Sequence, residues 1–380
     1  MRVTIVGAGP AGGAAAITLA RHGATVRLLE RSAWPRAKTC GDGISPDSVR
    51  IATELGIDLT DRLALEVGTM SAPSRAAISS GWPAATPWGT IVERRDFDAR
   101  LVDAAVAAGA GFEPRTTVRE IIPTVDGARV GVRGASGVDA CEDADAVLLA
   151  EGATGGLGAA LGFGRHRSRL VALRGYVRSD IDLDAAFGLH FDASVVPGYA
   201  WIFPLSRRHA NVGILVDERF SRSHDLRGIL DGWLRDSPFA RRQLGSRPVV
   251  EAMSGGVIPT GRRRRTHGAV FAIGDAAGVA DPFSAEGIAQ AMSTGRAAAH
   301  ALIAAGGDSA AAARRYRRAL RAFDAQARAS RRMRLVFPYV VDPLTQRGAI
   351  RPRLAHHLSS EGFFRKQSVA VFLWGIARAW

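Results

Sequence analysis

Cysteine is nearly absent from this 380-residue chain, which contains only Cys40 and Cys141. Two cysteines so far apart provide neither a disulfide framework nor a metal-ligand cluster, so we predict no metal site and a cytoplasmic protein. No G-x-S-x-G nucleophile elbow is present, which argues against Ser/His/Asp hydrolase chemistry.

Long apolar runs are lacking too. The last one, residues 368–377, is ten residues long, whereas a membrane-spanning helix needs about twenty.

Lysine is also scarce, since it occurs only at positions 38 and 366 among 50 basic residues. The net charge is +14, and residues 311–380 hold fifteen basic and three acidic residues, so +12 of it lies in this tail. A basic, partly apolar helical region suits peripheral contact with an anionic membrane, although a solvated helical face is an open alternative. The nearly neutral remainder argues against a nucleic-acid partner. A protein with no catalytic activity, whose tail is a binding module for membrane or nucleic acid, is a further alternative.

The first residues predict a nucleotide-binding turn. An apolar strand, Arg2–Val6, runs into Gly7-Ala8-Gly9-Pro10-Ala11-Gly12, and a helix is expected over residues 11–22. A strand already beginning at Arg2 also leads us to expect no signal peptide. Glycines at these spacings permit the tight turn, the approach of a pyrophosphate and close packing of the helix. Glu30 ends the next strand, where a carboxylate accepts hydrogen bonds from a ribose.

A second motif distinguishes FAD from NAD. Residues 268–278 read as a buried strand that stops at Gly274-Asp275. A carboxylate at the end of a central strand can bind the ribityl chain, which FAD has and NAD lacks. The segment Asp281-Pro-Phe-Ser-Ala-Glu-Gly-Ile288 then predicts a helix beginning near Ser284, whose free N–H groups would stabilise the negative charge of a reduced flavin.

Together these motifs resemble the FAD-dependent oxidoreductases of the hydroxylase-like superfamily. Within it, Lys38-Thr-Cys-Gly-Asp-Gly43 and Pro197-Gly-Tyr-Ala-Trp-Ile-Phe-Pro204 are similar to segments of the geranylgeranyl reductase family. The resemblance covers residues 1–305 and implies FAD as cofactor. The sequence has no second dinucleotide motif, so either NADPH or NADH binds transiently as electron donor or another protein delivers the electrons. The cofactor-binding residues that the motifs and the resemblance suggest are Gly7, Gly9, Pro10, Ala11, Gly12, Glu30, Arg31, Cys40, Gly41, Arg94, Val118, Gly274, Asp275, Gly287 and Ile288. Glu151 stands where relatives often have Asp, which leaves its cofactor role open.

The alternation of helices and buried strands predicts an α/β fold with a Rossmann-like, doubly wound FAD-binding domain. Segments in which apolar residues alternate with polar ones or form short runs interrupt this domain. They predict a discontinuous antiparallel-sheet substrate domain, in which Tyr199–Leu205 and Asn211–Asp217 form a hairpin. We expect the FAD-binding domain at 1–65, 91–160 and 266–310, the substrate domain at 66–90 and 161–265, and a basic helical region at 311–380.

The substrate domain carries an aromatic strand. Residues two apart on a strand face the same way, so Tyr199, Trp201 and Phe203 should form one wall, suited to an apolar small molecule or lipid. Ring faces also stabilise a developing positive charge. The alternative is that these rings are simply the core of the sheet.

Two candidates for the catalytic acid lie near this wall. Reduction of an isolated carbon–carbon double bond needs a proton at the second carbon, and Cys40 or Tyr199 could supply it. A thiol with an ordinary pKa of about 8.5 is largely protonated at pH 7. Asp42 could instead cap the helix that begins near Ser45.

The sequence thus predicts an FAD-dependent reductase that saturates double bonds of a prenyl chain. An FAD-dependent monooxygenase acting on an aromatic or polyketide metabolite is the alternative, because the same scaffold serves both reactions. A halogenase is disfavoured because the segment reads Trp201-Ile-Phe-Pro204 and lacks W-x-W-x-I-P.

Overall fold

A computed structural model describes residues 1–65, 67–71, 77–81, 89–166, 168–196, 198–261 and 263–346. The last apolar run, residues 368–377, and the part of the basic tail beyond residue 346 lie outside this part of the chain. The strands are β1 (Arg2–Val6), β2 (Thr25–Glu30), β3 (Gly43–Ile44), β4 (Val67–Ser71), β5 (Ala77–Gly81), β6 (Thr90–Ile91), β7 (Gly111–Pro114), β8 (Thr117–Pro123), β9 (Ala128–Arg133), β10 (Asp139–Ala144), β11 (Ala146–Leu149), β12 (Ser168–Arg178), β13 (Ala186–His190), β14 (Tyr199–Pro204), β15 (His209–Asp217), β16 (Val249–Thr260), β17 (Thr266–His267) and β18 (Val270–Ala272). The helices are α1 (Pro10–Arg21), α2 (Pro46–Glu54), α3 (Arg94–Ala107), α4 (Leu157–Ala160), α5 (Glu218–Ser221), α6 (Leu226–Asp236), α7 (Pro238–Leu244), α8 (Ile288–Ile303) and α9 (Ser309–Gln346), with a 3-10 turn at Gly274–Ala277.

A six-stranded sheet in the order β17-β18-β11-β1-β2-β7 forms the centre of the fold. All its pairs are parallel except β17 with β18. Helix α1 packs closely on α8, because a Cβ atom on Gly295 would stand only 2.2 Å from the carbonyl oxygen of Ala11. This confirms the predicted Rossmann-like sheet and places the ends of β1, β2 and β18 at one edge.

Strands β8, β9 and β10 form a separate three-stranded antiparallel sheet. The sequence analysis assigned this part of the chain to the FAD-binding domain together with the parallel strands. Its short connections explain the separate sheet, because parallel neighbours need a crossover of about a dozen residues or more. The exact domain boundaries stay a prediction.

The predicted second sheet is confirmed and has seven strands in the order β16-β12-β15-β14-β13-β4-β5. Strands β14 and β15 form the expected antiparallel hairpin, and only the β13–β4 pair is parallel. Alternate residues of β14 face opposite sides: Ile202 packs in a cluster with Trp233 of α6, whereas Trp201 and Phe203 belong to another cluster. The aromatic side of β14 is therefore free of helices α6 and α7.

The helix expected to begin near Ser284 begins later, at Ile288. The Asp281 carboxylate accepts hydrogen bonds from the backbone N–H groups of Phe283 and Ser284, both at 2.9 Å. These bonds close a turn ahead of the helix, and Ala285 in that turn has a φ of 58°. The N–H groups of Phe283 and Ser284 are bonded within this turn, so the helix begins about four residues later than predicted.

Candidate functional site

The glycine turn after β1 has the geometry that its spacing predicted. Gly7 has a φ of 107°, and a Cβ atom there would meet the Ala150 carbonyl oxygen at 2.3 Å. A Cβ atom on Gly12 would lie 2.0 Å from the Gly7 carbonyl oxygen. Gly9 is the N-cap of α1 and has no side chain with which to cap the helix, while Pro10 and Ala11 begin it. The first N–H groups of α1 are therefore available to an anion.

Glu30 lies beside this turn and is 5% exposed. Its carboxylate accepts hydrogen bonds from the backbone N–H of Ala8 at 3.3 Å, from that of Ser32 at 2.9 Å, and from Nε of Arg36 at 3.2 Å. Two carboxylate oxygens can accept about four hydrogen bonds, so capacity for a ribose hydroxyl remains.

Arg36, which the sequence analysis did not identify, extends this charge network. It donates to the Asp98 carboxylate at 2.7 Å, and Arg94 donates to the same group at 2.9 and 2.8 Å. Both guanidinium groups lie within 3.7 Å of the position that a Cβ atom on Gly9 would occupy. Two cations thus face the glycine turn, where they would complement a pyrophosphate. The Arg94/Asp98 pair has a readable i,i+4 spacing, whereas Arg36 had no local signal.

Arg31 and Val118 lie outside the charge network that faces the glycine turn. Arg31 is exposed on the surface, and it is Arg36 that contacts Glu30. Val118 is buried in β8, and the start of that strand lies against β2 because the N–H of Thr116 donates to the Glu30 carbonyl oxygen at 2.9 Å. Their assignment as cofactor-binding residues stays a prediction.

The second flavin motif reaches the same edge of the sheet. Gly274 has a φ of 60°, and its N–H donates to Oγ1 of Thr294 at 3.0 Å. Burial raises the pKa of the next residue, Asp275, although the charge of Lys38 opposes this shift. Gly287 is the N-cap of α8, and a Cβ atom there would stand 3.7 Å from a carboxylate oxygen of Asp275. Asp275 and the start of α8, with buried Ile288, are thus adjacent.

Asp42 is fully buried in the glycine-flanked loop that contains Cys40. Its carboxylate accepts hydrogen bonds from the Tyr176 hydroxyl at 2.9 Å and from the Asn211 side-chain amide at 2.8 Å. The expectation that Asp42 caps helix α2 is wrong, because Ser45 is the N-cap and its hydroxyl accepts from the N–H of Ser48. Asp42, which has a φ of 62°, instead connects the loop to the second sheet.

Asn211 is the centre of that connection and is itself fully buried. Its amide also donates to the Cys40 carbonyl oxygen at 2.8 Å, and its oxygen accepts from Nε1 of Trp201 at 3.0 Å. A Cβ atom on Gly41 would lie 3.3 Å from the Phe203 ring. The Cys40 loop is therefore held directly against the aromatic face of β14.

The three predicted aromatic residues form one wall. The Tyr199 and Trp201 ring centroids are 6.2 Å apart, and those of Trp201 and Phe203 are 6.0 Å apart. Phe187 of β13 extends the wall by stacking on Phe203 at 4.2 Å. The Tyr199 hydroxyl donates to the carbonyl oxygen of Ser284, in the turn before α8. The wall therefore contacts both segments expected to border a flavin.

Three titratable groups near the wall have shifted pKa values. Burial raises the pKa of Cys40, while the nearby Arg94 guanidinium opposes the shift. Burial likewise raises the pKa of Tyr199. Glu286 was not predicted as a site residue; burial raises its pKa to about 7 despite hydrogen bonds from Ser45 and Gln290. Cys40 and Tyr199 are consequently protonated at neutral pH.

Glu151 is used differently from the Asp found in many relatives. Its two carboxylate oxygens accept hydrogen bonds from the N–H groups of Leu157 and Gly158, both at 2.9 Å. The longer side chain thus bonds the start of α4, and these contacts do not direct it toward the glycine turn.

These residues fit FAD. The uncapped starts of α1 and α8, the two arginines facing Gly9, and the Asp275 carboxylate beside the start of α8 are complementary to a dinucleotide with a pyrophosphate and a ribityl chain. Glu30, Arg94 and Asp275 would hold its separate parts. Across the described residues, no group of His, Cys, Asp and Glu side chains is arranged to hold a metal ion. Within the same part of the chain, no helix is long and apolar enough to cross a membrane.

Comparison with known proteins identifies the family. Residues 1–182 match a family model described as an FAD binding domain. A menaquinone reductase of Mycobacterium tuberculosis is 31% identical over 331 residues, covering 79% of this chain and 76% of that protein. A digeranylgeranylglycerophospholipid reductase of Methanoculleus marisnigri is 32% identical over 354 residues, covering 87% of this chain and 82% of that protein.

Solved structures share the fold. A geranylgeranyl bacteriochlorophyll reductase-like protein of Thermoplasma acidophilum has a TM-score of 0.83 at 21% identity, covering 100% of this chain and 96% of that one. A flavin-dependent brominase has a TM-score of 0.78 at 18% identity, covering 100% of this chain and 99% of that one. The fold therefore serves more than one chemistry, and the sequence relatives decide between them. The chain belongs to the geranylgeranyl reductase family of FAD-dependent oxidoreductases.

Proposed function

We propose that this protein reduces carbon–carbon double bonds in the prenyl chain of a lipid. The observation that carries the proposal is the contact between the aromatic wall and the Cys40 loop, fixed by the three hydrogen bonds of Asn211. An apolar chain lying along Tyr199, Trp201 and Phe203 would pass directly beside that loop. The names of the reductase relatives support the same substrate class, because menaquinone and digeranylgeranylglycerophospholipid both carry polyprenyl chains.

Reduced FAD would supply a hydride to one carbon of the double bond, and a side chain of the protein must supply a proton to the other. Cys40 is the better donor of the two candidates. Its raised pKa keeps the thiol protonated, whereas the Tyr199 proton is committed to the Ser284 carbonyl oxygen. The face of Trp201 would stabilise positive charge that develops on the substrate as the proton arrives.

A lipid substrate requires access to a membrane surface. Helix α9 carries exposed arginines along its length, as at Arg314, Arg315 and Arg318, and the tail beyond residue 346 adds further basic residues. We assign this region to peripheral contact with anionic lipid. NADPH or NADH would then act as a transient electron donor.

Anaerobic turnover tests the proposal. The FAD-loaded protein, reduced with dithionite, should add hydrogen in multiples of two atoms to a geranylgeranyl lipid, as measured by mass spectrometry. Cys40→Ala should keep its FAD and lose this activity, whereas Cys141→Ala, on the exposed strand β10, should keep both. If none of several prenyl lipids gains hydrogen, or if an aromatic substrate gains oxygen instead when air is admitted, the proposal is wrong.

A further inference from the structure

A cavity of about 790 Å³ lies away from the aromatic wall, between the loop before β17 and helix α9. Its lining includes Arg165, Arg263, Arg264, Arg265 and Arg317 but only one carboxylate, Asp324. Ligand cavities in proteins are typically about 300 to 1,000 Å³ in volume. The cavity is therefore large enough for a ligand and strongly positive.

Arg263 and Arg265 form the inner wall of this cavity, and both side chains are almost completely buried. The side chains of Arg263 and Arg265 are each 6% exposed. Arg263 donates to the Ala276 carbonyl oxygen at 2.6 Å, and Arg265 donates to that of Ala277 at 2.7 Å. Both thus bind the turn that begins at Gly274. The cavity consequently lies behind the second flavin motif.

Each arginine of this inner wall has one carboxylate beside it. Asp324 pairs with Arg265 at 2.7 Å, and the Glu151 carboxylate lies 3.8 Å from Arg263. Burial lowers the pKa of Arg263, while Glu151 opposes this shift and Arg265 adds to it. The excess positive charge of the lining therefore comes from the exposed Arg165, Arg264 and Arg317, and it favours binding of an anion.

The outer arginines are free to reach such an anion. Arg264 and Arg317 are exposed, and among the described residues each donates one hydrogen bond, to Thr266, at 3.1 and 3.0 Å. Arg165 is exposed as well. Each guanidinium is a planar group of five donors, several of which remain unused, and this geometry matches phosphate oxygens in pairs.

We propose that this cavity is a second ligand site that binds the phosphate or diphosphate group of an anionic molecule. Arg264 and Arg317 contact the phosphate oxygens, and the carboxylate-paired Arg263 and Arg265 form the buried wall behind it. Because those two arginines hold the Ala276 and Ala277 carbonyl groups, the ligand lies on the far side of the turn from Asp275. The proposal is independent of the prenyl-reductase assignment, since it involves none of the aromatic residues.

Calorimetric titration of the FAD-loaded full-length protein with pyrophosphate tests the site, because bound FAD occupies the glycine turn. The double variant Arg264→Gln/Arg317→Gln should bind pyrophosphate at least about tenfold more weakly, since two charged hydrogen-bonding groups are removed. The matched control Arg227→Gln/Arg247→Gln removes the same charge from exposed positions outside the cavity and should bind like the unmodified protein. Flavin absorbance checks that each variant is folded.

Competition identifies the source of the phosphate. Displacement of pyrophosphate by NADP+ assigns the site to a nucleotide, and displacement by phosphatidylglycerol vesicles but not phosphatidylcholine vesicles assigns it to a lipid headgroup. The proposal is overturned if the two double variants bind pyrophosphate equally, if no binding is detected, or if chloride at equal ionic strength displaces pyrophosphate as effectively as either competitor.

Discussion

Replacing Asn211 by leucine tests the connection between the Cys40 loop and the aromatic wall. The change keeps the branching at Cγ, although leucine is larger than asparagine, and removes three buried hydrogen bonds, with the Cys40 carbonyl oxygen, the Asp42 carboxylate and Nε1 of Trp201. The two neutral bonds contribute about 1 kcal/mol each, and the bond to a charged carboxylate contributes about 1.5 to 3 kcal/mol. We therefore expect the free energy of unfolding to fall by about 4 kcal/mol at neutral pH.

The loss should depend on pH, and its sign follows from Asp42. Burial raises the pKa of Asp42 in the folded protein, while the Asn211 and Tyr176 hydrogen bonds lower it. Without Asn211 this pKa rises further, so the folded state holds a proton that the unfolded chain has released, and stability decreases as pH rises above the unfolded value. The destabilisation should therefore be larger at pH 8 than at pH 5.

Urea-induced unfolding at both pH values, followed by tryptophan fluorescence at a fixed saturating FAD concentration, measures this difference. Tyr176→Phe is the matched control, because it removes only one bond to Asp42 and should give a smaller loss with the same pH dependence. An equal loss at pH 5 and pH 8 would refute the reasoning, since the bond to Asp42 would then not involve a charged carboxylate.

Three further changes test the cofactor side of the site. Gly12→Ala should lower FAD content and stability, because its Cβ would meet the Gly7 carbonyl oxygen at 2.0 Å, whereas Gly134→Ala, with nothing within 4 Å of its Cβ, should not; flavin absorbance and thermal unfolding measure both. Asp275→Ala should bind FAD about tenfold to a hundredfold more weakly, as titration of the apoprotein would show, and unchanged affinity would remove Asp275 from the cofactor site. In the unmodified protein the free energy of unfolding should decrease between about pH 4.5 and 7, because the folded-state pKa of Glu286, about 7, lies above the ordinary 4.5. Glu286→Gln should make this decrease smaller. If the free energy of unfolding of the variant follows pH as in the unmodified protein, the pKa of Glu286 is not perturbed.

The parts of the site predicted from sequence are those whose chemistry is local. Gly12 must accommodate the carbonyl oxygen of Gly7, five positions earlier, and the spacing alone encodes that contact, whereas Gly7 itself lies against the distant Ala150 carbonyl oxygen. The aromatic wall follows from the two-residue period of a strand, which fixed Tyr199, Trp201 and Phe203 on one side of β14.

The parts that were missed depend on contacts between distant segments. Arg36 reaches Asp98 and Glu30 only because the loop after β2 folds back over α3. Asp42 looked like a helix cap because it precedes a helix start, but Asn211 lies 169 positions further along the chain and provides a buried partner. A polar residue on an otherwise apolar strand was the only available sign of this connection.

Two hydrogen-bonded connections fix the position of β14 against the cofactor-binding part of the chain. Trp201 is joined through Asn211 to the Cys40 loop, and Tyr199 is joined to the Ser284 carbonyl oxygen in the turn before α8. Apolar packing alone would allow the sheet to slide, because dispersion contacts are not directional. Displacing paired buried polar groups, by contrast, breaks their hydrogen bonds and costs free energy. In the proposed reaction the wall would therefore hold a bound prenyl chain at a defined distance from both segments, which is what transfer of a proton and a hydride to adjacent carbons requires.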